Sequence, residues 1–399
     1  MIIRTRAKCT TCDSIYTLRI RVGNNPSQRH SIRCICCNED MIAGLEIDFN
    51  NVKAKPVFIE NCEETAEEGK VINLDPDHPV PDDMLHMDMI FPWMQHVEKS
   101  FYLNKRHPNF PEKASAGPIF VDIYQVLGSH HNIVPLWNSL KKAWSLSNSG
   151  KSDLSVKALI QYSTALGLKE PPSLNEAIYD FLVRLIMPAG EELIKNAAQL
   201  WKSLESSNPA QTRKFVTFYR SDLHKDNFAR AFEVFSEYFK VYSDFSQTEL
   251  YAKNDTKLPE KSTATSVSFK ETKQFYGNAF EALTSNFTTL ACINNLFAGR
   301  KYDEFKEMTL KMYLTINKAN RQSPFESQKE FSAFSACIDS TLRNSSHHAA
   351  IKLENQKVVY RSGGTGAIHK INYSEYLLKC NQIMFSLAAL TCLELVIAF

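Results

Sequence analysis

Glycine and proline are sparse in this 399-residue chain, at 13 and 16 residues, which excludes collagen-like and glycine-rich low-complexity architectures. Net charge is nearly absent as well. Lys and Arg number 46 against 44 Asp and Glu, a formal +2, so no global basic field points to nucleic acid, and such binding must rest on a local patch or a specific site. The opening residues Met1 to Cys9 carry no apolar core, so no secretory signal is expected. The only long apolar run, Ile383 to Phe399, is interrupted by Ser386, Cys392 and Glu394 and lacks basic flanks on both sides; a buried helix is expected there rather than a membrane anchor. Walker loop, dinucleotide fingerprint, Gly-x-Ser-x-Gly elbow and Ser–His–Asp order are all missing, which argues against nucleotide-driven chemistry. Gly363, Gly364 and Gly366 have no following Lys-Ser/Thr pair and read as a tight turn.

What remains is a packed globular composition, 44% hydrophobic and 23% charged, in a chain long enough for two or three domains. Ser14 to Val22 alternates apolar and polar residues ahead of a turn at Gly23-Asn24-Asn25-Pro26, and Ile42 to Phe49 is a second candidate strand. From Glu60 to Asp88 the sequence is acidic and proline-containing, a composition expected of a solvated linker. From Gly117 the spacing turns helical, over Ile119–Leu127, Val134–Trp144, Ser155–Leu166, Leu174–Leu185, Gly190–Leu204 and Thr212–Tyr219. Phe228, Phe232, Phe235, Tyr238 and Phe239 form an aromatic stripe at helical spacing, which predicts core packing rather than base stacking. After a polar stretch at 253–268, helices are expected over Phe269–Phe297, Tyr302–Asn317 and Gln328–Leu342, then a hairpin over Ala350–Tyr373 and a last helix from Ser374. The expected fold is mainly α: a small N-terminal β domain (1–50), an acidic linker (51–116), a helical middle domain (117–255) and a C-terminal helical bundle with a β-hairpin (265–399).

Two features carry chemistry. The first is Cys9-x2-Cys12 followed by Cys34-x2-Cys37. A Cys-x2-Cys pair sets two thiolates on one turn at the separation a tetrahedral Zn²⁺ needs, and four thiolates close the sphere, so a structural site is expected. Cys36 reads as a spectator and His30 as a weaker rival ligand. The segment resembles a zinc ribbon, to which Arg19, Arg21, Arg29 and Arg33 add a basic face. Asp77, His78, His86, Asp88 and His96 match no helix-face ligand pair and read as scattered linker residues.

The second is Arg343-Asn344-Ser345-Ser346-His347-His348. It places a permanent cation, an amide and two imidazoles within about a turn and a half of helix. Such a set suits phosphodiester cleavage: the guanidinium clamps non-bridging oxygens where charge builds, and an imidazole moves protons. Asp339, four residues ahead, is placed to pair with Arg343. Arg-Asn-x3-His resembles the Arg-x4–6-His motif of HEPN domains, and the following hairpin and Tyr373-to-Lys379 helix opening resemble HEPN proteins of the abortive-infection type. The resemblance covers roughly residues 265–399. It implies a dimeric helical bundle whose two motif helices form one composite cleft, and a metal-independent endoribonuclease that leaves a 2′,3′-cyclic phosphate and serves as a toxin or phage-defence effector. By carry-over Arg343 stabilises the phosphorane, His348 is the acid/base and Asn344 orients the phosphate. His347 occupies a variable position of the pattern. On a regular helix it lies only about 40° from Arg343 whereas His348 lies about 140° away, but the family pattern makes His348 the expected acid/base and His347 the second candidate. The expected partners are RNA, a second copy of the chain and a trigger or inhibitor protein, in the cytoplasm and without a membrane. The alternative is a catalytically inactive zinc-ribbon/HEPN adaptor.

Overall fold

The alternation of the N-terminal sequence is realised as sheet. The computed structural model describes residues 1–23, 25–88, 133–265, 269–347, 350–354, 356–364 and 366–399. The expected helix Ile119–Leu127, His96, His130, His131 and His348 lie outside them. Two compact units emerge, neither contiguous in sequence. One draws on the described part of Met1–Phe110 with Val241–Gln274 and Asn344–Asn381. The other draws on the described part of Pro111–Lys240 with Phe275–Arg343 and Gln382–Phe399.

In the first unit, β1 (Ile2–Cys9) pairs antiparallel with β2 (Ile15–Arg21), with Ile3 opposite Ile20 and Ala7 opposite Tyr16. A second sheet joins β3 (Ser27–Arg33), β4 (Asp40–Asp48) and β5 (Lys53–Glu60) in that order. Gly44 is required where β4 passes β3: a Cβ there would come within 1.8 Å of the Gln28 carbonyl oxygen. Between the sheets lie Tyr16, Leu18, Ile20, Ile32, Met41, Leu45, Ile72 and Leu74, all buried.

The acidic segment corrects the expectation of a solvated linker. β6 (Cys62–Glu64) adds to the outer edge of β1, β7 (Lys70–Leu74) runs parallel beside β2, and β8 (Val80–Pro81) pairs with β9 (Ser262–Thr263). The acids face the basic strands β1 and β2: Glu63 meets Lys8 at 2.7 Å, Glu68 meets Arg6 at 2.7 Å, Asp75 and Asp77 hold Arg21, and Asp88 lies 3.5 Å from Arg19. Composition alone missed this because the neutralising cations sit 54 to 69 residues upstream. It also revises the basic face expected of the ribbon, since Arg19 and Arg21 have side chains only 8% and 14% exposed and face carboxylates.

The second unit is helical. It contains α1 (Ile133–Asn148), α2 (Ser152–Ala165), α3 (Leu174–Ile186), α4 (Ala189–Ser207), α5 (Pro209–Phe218) and α6 (His224–Lys240). Ser173 starts α3 by a capping box with Glu176, the sequence device that fixes a helix N-terminus. The aromatic stripe on α6 is core, as its spacing indicated: Phe239 stacks on Trp137 at 5.0 Å and Phe232 on Trp144 at 4.3 Å. In the first unit lie α7 (Tyr242–Lys253) and α8 (Phe269–Thr272), and α9 (Phe275–Phe297) follows in the second.

Two expected helices are largely replaced by turns. Over 302–317 only α10 (Leu310–Tyr313) forms, because Tyr313 is pulled inward, stacking on Phe305 at 4.7 Å and donating its hydroxyl to the Arg321 carbonyl. Over 328–342, α11 (Lys329–Ser332) passes into a 3₁₀ turn that buries Phe331 and Phe334, three residues apart. The side chain of Asp339 then restarts the chain as α12 (Ser340–His347) by accepting from Leu342 N at 3.0 Å. The expected hairpin is a three-stranded meander, β10 (Ile351–Glu354), β11 (Lys357–Arg361) and β12 (Ile368–Asn372).

The last helix, α13 (Tyr373–Ala398), is long and apolar enough to cross a membrane, but 89% of its most apolar window is buried within the protein. A helix apolar all round is what a core position demands. Its one late charge, Glu394, is fully buried, and its Oε1 accepts from Asn227 Nδ2 and Thr289 Oγ1, both at 2.6 Å. Burial outweighs these bonds and pushes the carboxyl from 4.5 up to about 7. The unfolded chain releases this proton near 4.5 while the folded one keeps it to about 7, so the group's stabilising contribution is full below 4.5 and falls as pH rises through about 7. The loss amounts to about 3 kcal/mol. Glu394→Gln is expected to remove this fall from the wild-type stability–pH curve, measured by urea unfolding; parallel curves for the two proteins would contradict it.

Candidate functional site

The two cysteine knuckles are built alike. Cys9 closes β1 and the chain turns back at Asp13, whose positive φ of 59° lets its N–H reach the Cys9 carbonyl at 2.9 Å. In the second knuckle Asn38, with φ 64°, returns its N–H to the Cys34 carbonyl at 2.9 Å. Asp and Asn are the non-glycine residues that best tolerate this left-handed region. Ser14 and Glu39 complete each turn by accepting from Cys9 N and Cys34 N. The four sulfurs of Cys9, Cys12, Cys34 and Cys37 all lie within 4.8 Å of one another, with Cys12–Cys34 at 3.4 Å and Cys9–Cys37 at 3.8 Å. A tetrahedral Zn²⁺ with bonds near 2.3 Å separates its sulfurs by about 3.8 Å. The donor set therefore fits a four-coordinate, thiolate-loving ion with no ligand position left over.

The surroundings support that role. Burial opposes a charged Cys34, but the backbone N–H of Cys37, the Tyr16 hydroxyl at 3.1 Å and the Cys36 N–H together bring its thiol down to about 6. Glu39 N–H favours the Cys37 thiolate, yet burial and the adjoining sulfurs push that thiol up to about 12. Four crowded thiols do not all ionise unaided, and a divalent cation resolves the conflict. Cys36 is exposed and outside the cluster, as its spectator reading anticipated. The rival ligand His30 is also outside it. Its ring is fully buried with Nδ1 3.4 Å from Thr265 Oγ1, and burial lowers it to about 4, the signature of a neutral core imidazole.

The second site grows from α9 and α12. Tyr276 on α9 accepts from Asp339 N at 2.8 Å and donates to the Cys337 carbonyl at 2.7 Å, fixing where α12 begins. One turn on, Arg343 lies with its guanidinium carbon 5.7 Å from the Phe280 ring centre and donates Nε to Glu281 Oε1 at 2.6 Å. The expected ion-pair partner was Asp339; the carboxylate facing Arg343 across the helix pair is Glu281. The other Glu281 oxygen takes Lys318 Nζ at 2.6 Å. Burial disfavours the charged carboxylate, but the two cations outweigh it and hold Glu281 below the ordinary carboxylate range. Asn344 is half-buried and His347, at the last residue of α12, is exposed.

Comparison with known proteins adds no assignment. No family model, curated protein or solved structure gives a significant match to this chain.

Sequence reading did not single out Glu281 or Lys318. A signal existed for the first: Glu281 is the only charged residue in α9, and a lone charge on an otherwise uncharged buried helix calls for a partner. Nothing in the local sequence marks Lys318, which sits in a one-turn 3₁₀ segment, Lys318–Asn320.

Proposed function

We propose that this protein is an endoribonuclease of the HEPN type that cleaves RNA by 2′-hydroxyl attack without a catalytic metal. It acts as a homodimer and serves as a toxin in defence against phage. The observation that carries this reading is Arg343, held by Glu281 and Phe280 on a half-exposed helix whose next turn presents the exposed His347 on the same face. Arg343 clamps the non-bridging oxygens of the scissile phosphate. The ribose 2′-oxygen forms a bond to phosphorus as the bond to the 5′-oxygen breaks. One imidazole takes the 2′-hydroxyl proton, and a protonated imidazole gives a proton to the departing 5′-oxygen. The products are a 2′,3′-cyclic phosphate and a 5′-hydroxyl. The residues in these roles are Arg343, His347 and His348, with Asn344 orienting the phosphate. Cys9, Cys12, Cys34 and Cys37 would hold a structural Zn²⁺ that ties the β1 and β3–β4 turns together.

The test is direct. Wild-type protein in magnesium-free buffer is expected to cut RNA into fragments with cyclic-phosphate ends, and to leave the 2′-deoxy version of the same strand whole. RNA left uncut, together with expression that does not harm the host cell, would assign the chain to the inactive adaptor class instead.

A further inference from the structure

Three side chains of the second unit form a charge group that the motif alone does not contain. Glu281 lies between two cations, with Arg343 on one oxygen and Lys318 on the other. Neither cation is a swaying surface charge. Arg343 is braced by the Phe280 ring. The backbone of Lys318 is set by Asn317, whose side chain accepts from Ala319 N at 3.0 Å and whose carbonyl accepts from Asn320 N at 2.9 Å. Arg343, Lys318 and Glu281 remain 29%, 34% and 26% exposed, so a ligand reaches all three.

Two cations and one carboxylate sum to +1, and a phosphodiester carries one negative charge. Glu281 uses one of the three Nζ donors of Lys318, and among the described residues nothing takes the other two. Resting on the nuclease reading above, the geometry points to Lys318 as a second phosphate-binding residue, which holds the RNA phosphodiester together with Arg343. Glu281 is then a positioning residue. It keeps the two cations about one carboxylate apart when RNA is absent, and lets them spread their donors over the non-bridging oxygens when a phosphate arrives. The arrangement divides the work by chemistry. Arg343 offers a planar fork for oriented contact, and Lys318 offers a compact charge that matches an oxygen without fixing its direction.

The experiment measures binding apart from cleavage. A single-stranded RNA oligonucleotide methylated at every 2′-oxygen lacks the nucleophile and stays whole. Its affinity is followed by fluorescence anisotropy between about 50 and 200 mM salt, where each phosphate contact on a single strand contributes about 0.7 to the slope of log K against log salt. Lys318→Gln is expected to weaken binding several-fold and to reduce the slope by about 0.7, while Lys318→Arg keeps the wild-type slope. Glu281→Gln, which releases both cations, is expected to bind the same strand more tightly yet cleave an unmodified strand more slowly. That split is not what a purely structural contact would give. Wild-type affinity and slope in a folded Lys318→Gln protein would overturn the assignment, as would a wild type that does not bind the strand. Failure of the underlying reading looks different: Lys318-dependent binding with no cleavage of unmodified RNA removes the nuclease and leaves the phosphate contact standing.

Discussion

Arg343→Ala is expected to lower RNA cleavage by roughly 10³-fold or more, the cost of removing a preorganised cation from developing phosphoryl charge. The fold should survive the change. Arg343 is part-exposed, and its partner Glu281 keeps Lys318 at 2.6 Å, so no buried carboxylate is orphaned. Arg343→Lys separates charge from shape. Lysine keeps the cation but lacks the fork that serves Glu281 and a phosphate together, so it should recover only a small part of the activity. His347→Ala and His348→Ala then rank the two imidazoles. Loss of general acid–base help costs about 10²- to 10⁴-fold, and the larger loss identifies the acting ring. Because α12 continues through His347, that residue lies one turn from Arg343 on a shared face, and it is expected to show a loss of this size. Rates measured on one defined oligonucleotide, beside the unfolding temperature of each variant, decide the matter. Wild-type cleavage by a folded Arg343→Ala protein would end the nuclease mechanism proposed for this helix.

The parts of the fold that were legible beforehand are those dictated by local periodicity. The aromatic stripe of α6, the helical spacing of α3 from Leu174, the apolar α13 and the paired cysteine knuckles all follow from residue type at short spacing. What escaped was set by residues distant in sequence. The acids of 60–88 are strand and loop partners for Arg6, Lys8, Arg19 and Arg21, and a window over the acids alone reads them as solvated. The apolar spacing over 302–317 suggested a continuous helix, but the inward pull of Tyr313 overrides that propensity. At the candidate site the same division holds. Arg343 and the histidines declare themselves as a motif, whereas Glu281 sits sixty-two residues upstream and Lys318 twenty-five, joined to Arg343 only by the folding of α9 against α12.

Loss of a metal from the four cysteines is expected to be the second large effect. Purified protein is expected to carry one zinc per chain, and single Cys→Ser changes at Cys9, Cys12, Cys34 or Cys37 should each abolish it. Cys36→Ser and Cys62→Ser should not, since Cys36 is exposed outside the cluster and Cys62 donates its thiol to the Ile42 carbonyl at 3.1 Å. The structural consequence follows from where the ligands sit. Cys9 and Cys34 are fully buried members of the apolar core shared by the two N-terminal sheets, so binding of a metal by the four cysteines would be one event with burial of that core. Structural zinc sites of this kind contribute about 10–16 kcal/mol of apparent binding free energy near neutral pH, more than the whole stability of most domains. Metal-free protein is thus expected to lose the two N-terminal sheets, β1–β7, while the helical unit persists, seen as loss of amide-exchange protection in those strands. The pH dependence has a definite sign. Binding needs thiolates, and without metal Cys37 is held protonated with its thiol pushed up to about 12, so zinc uptake must release protons and affinity must rise with pH. Acid should therefore strip the site, and β protection should disappear over the same pH range as bound zinc. Protection retained by a protein shown to be zinc-free would mean that the four cysteines are ordinary core residues.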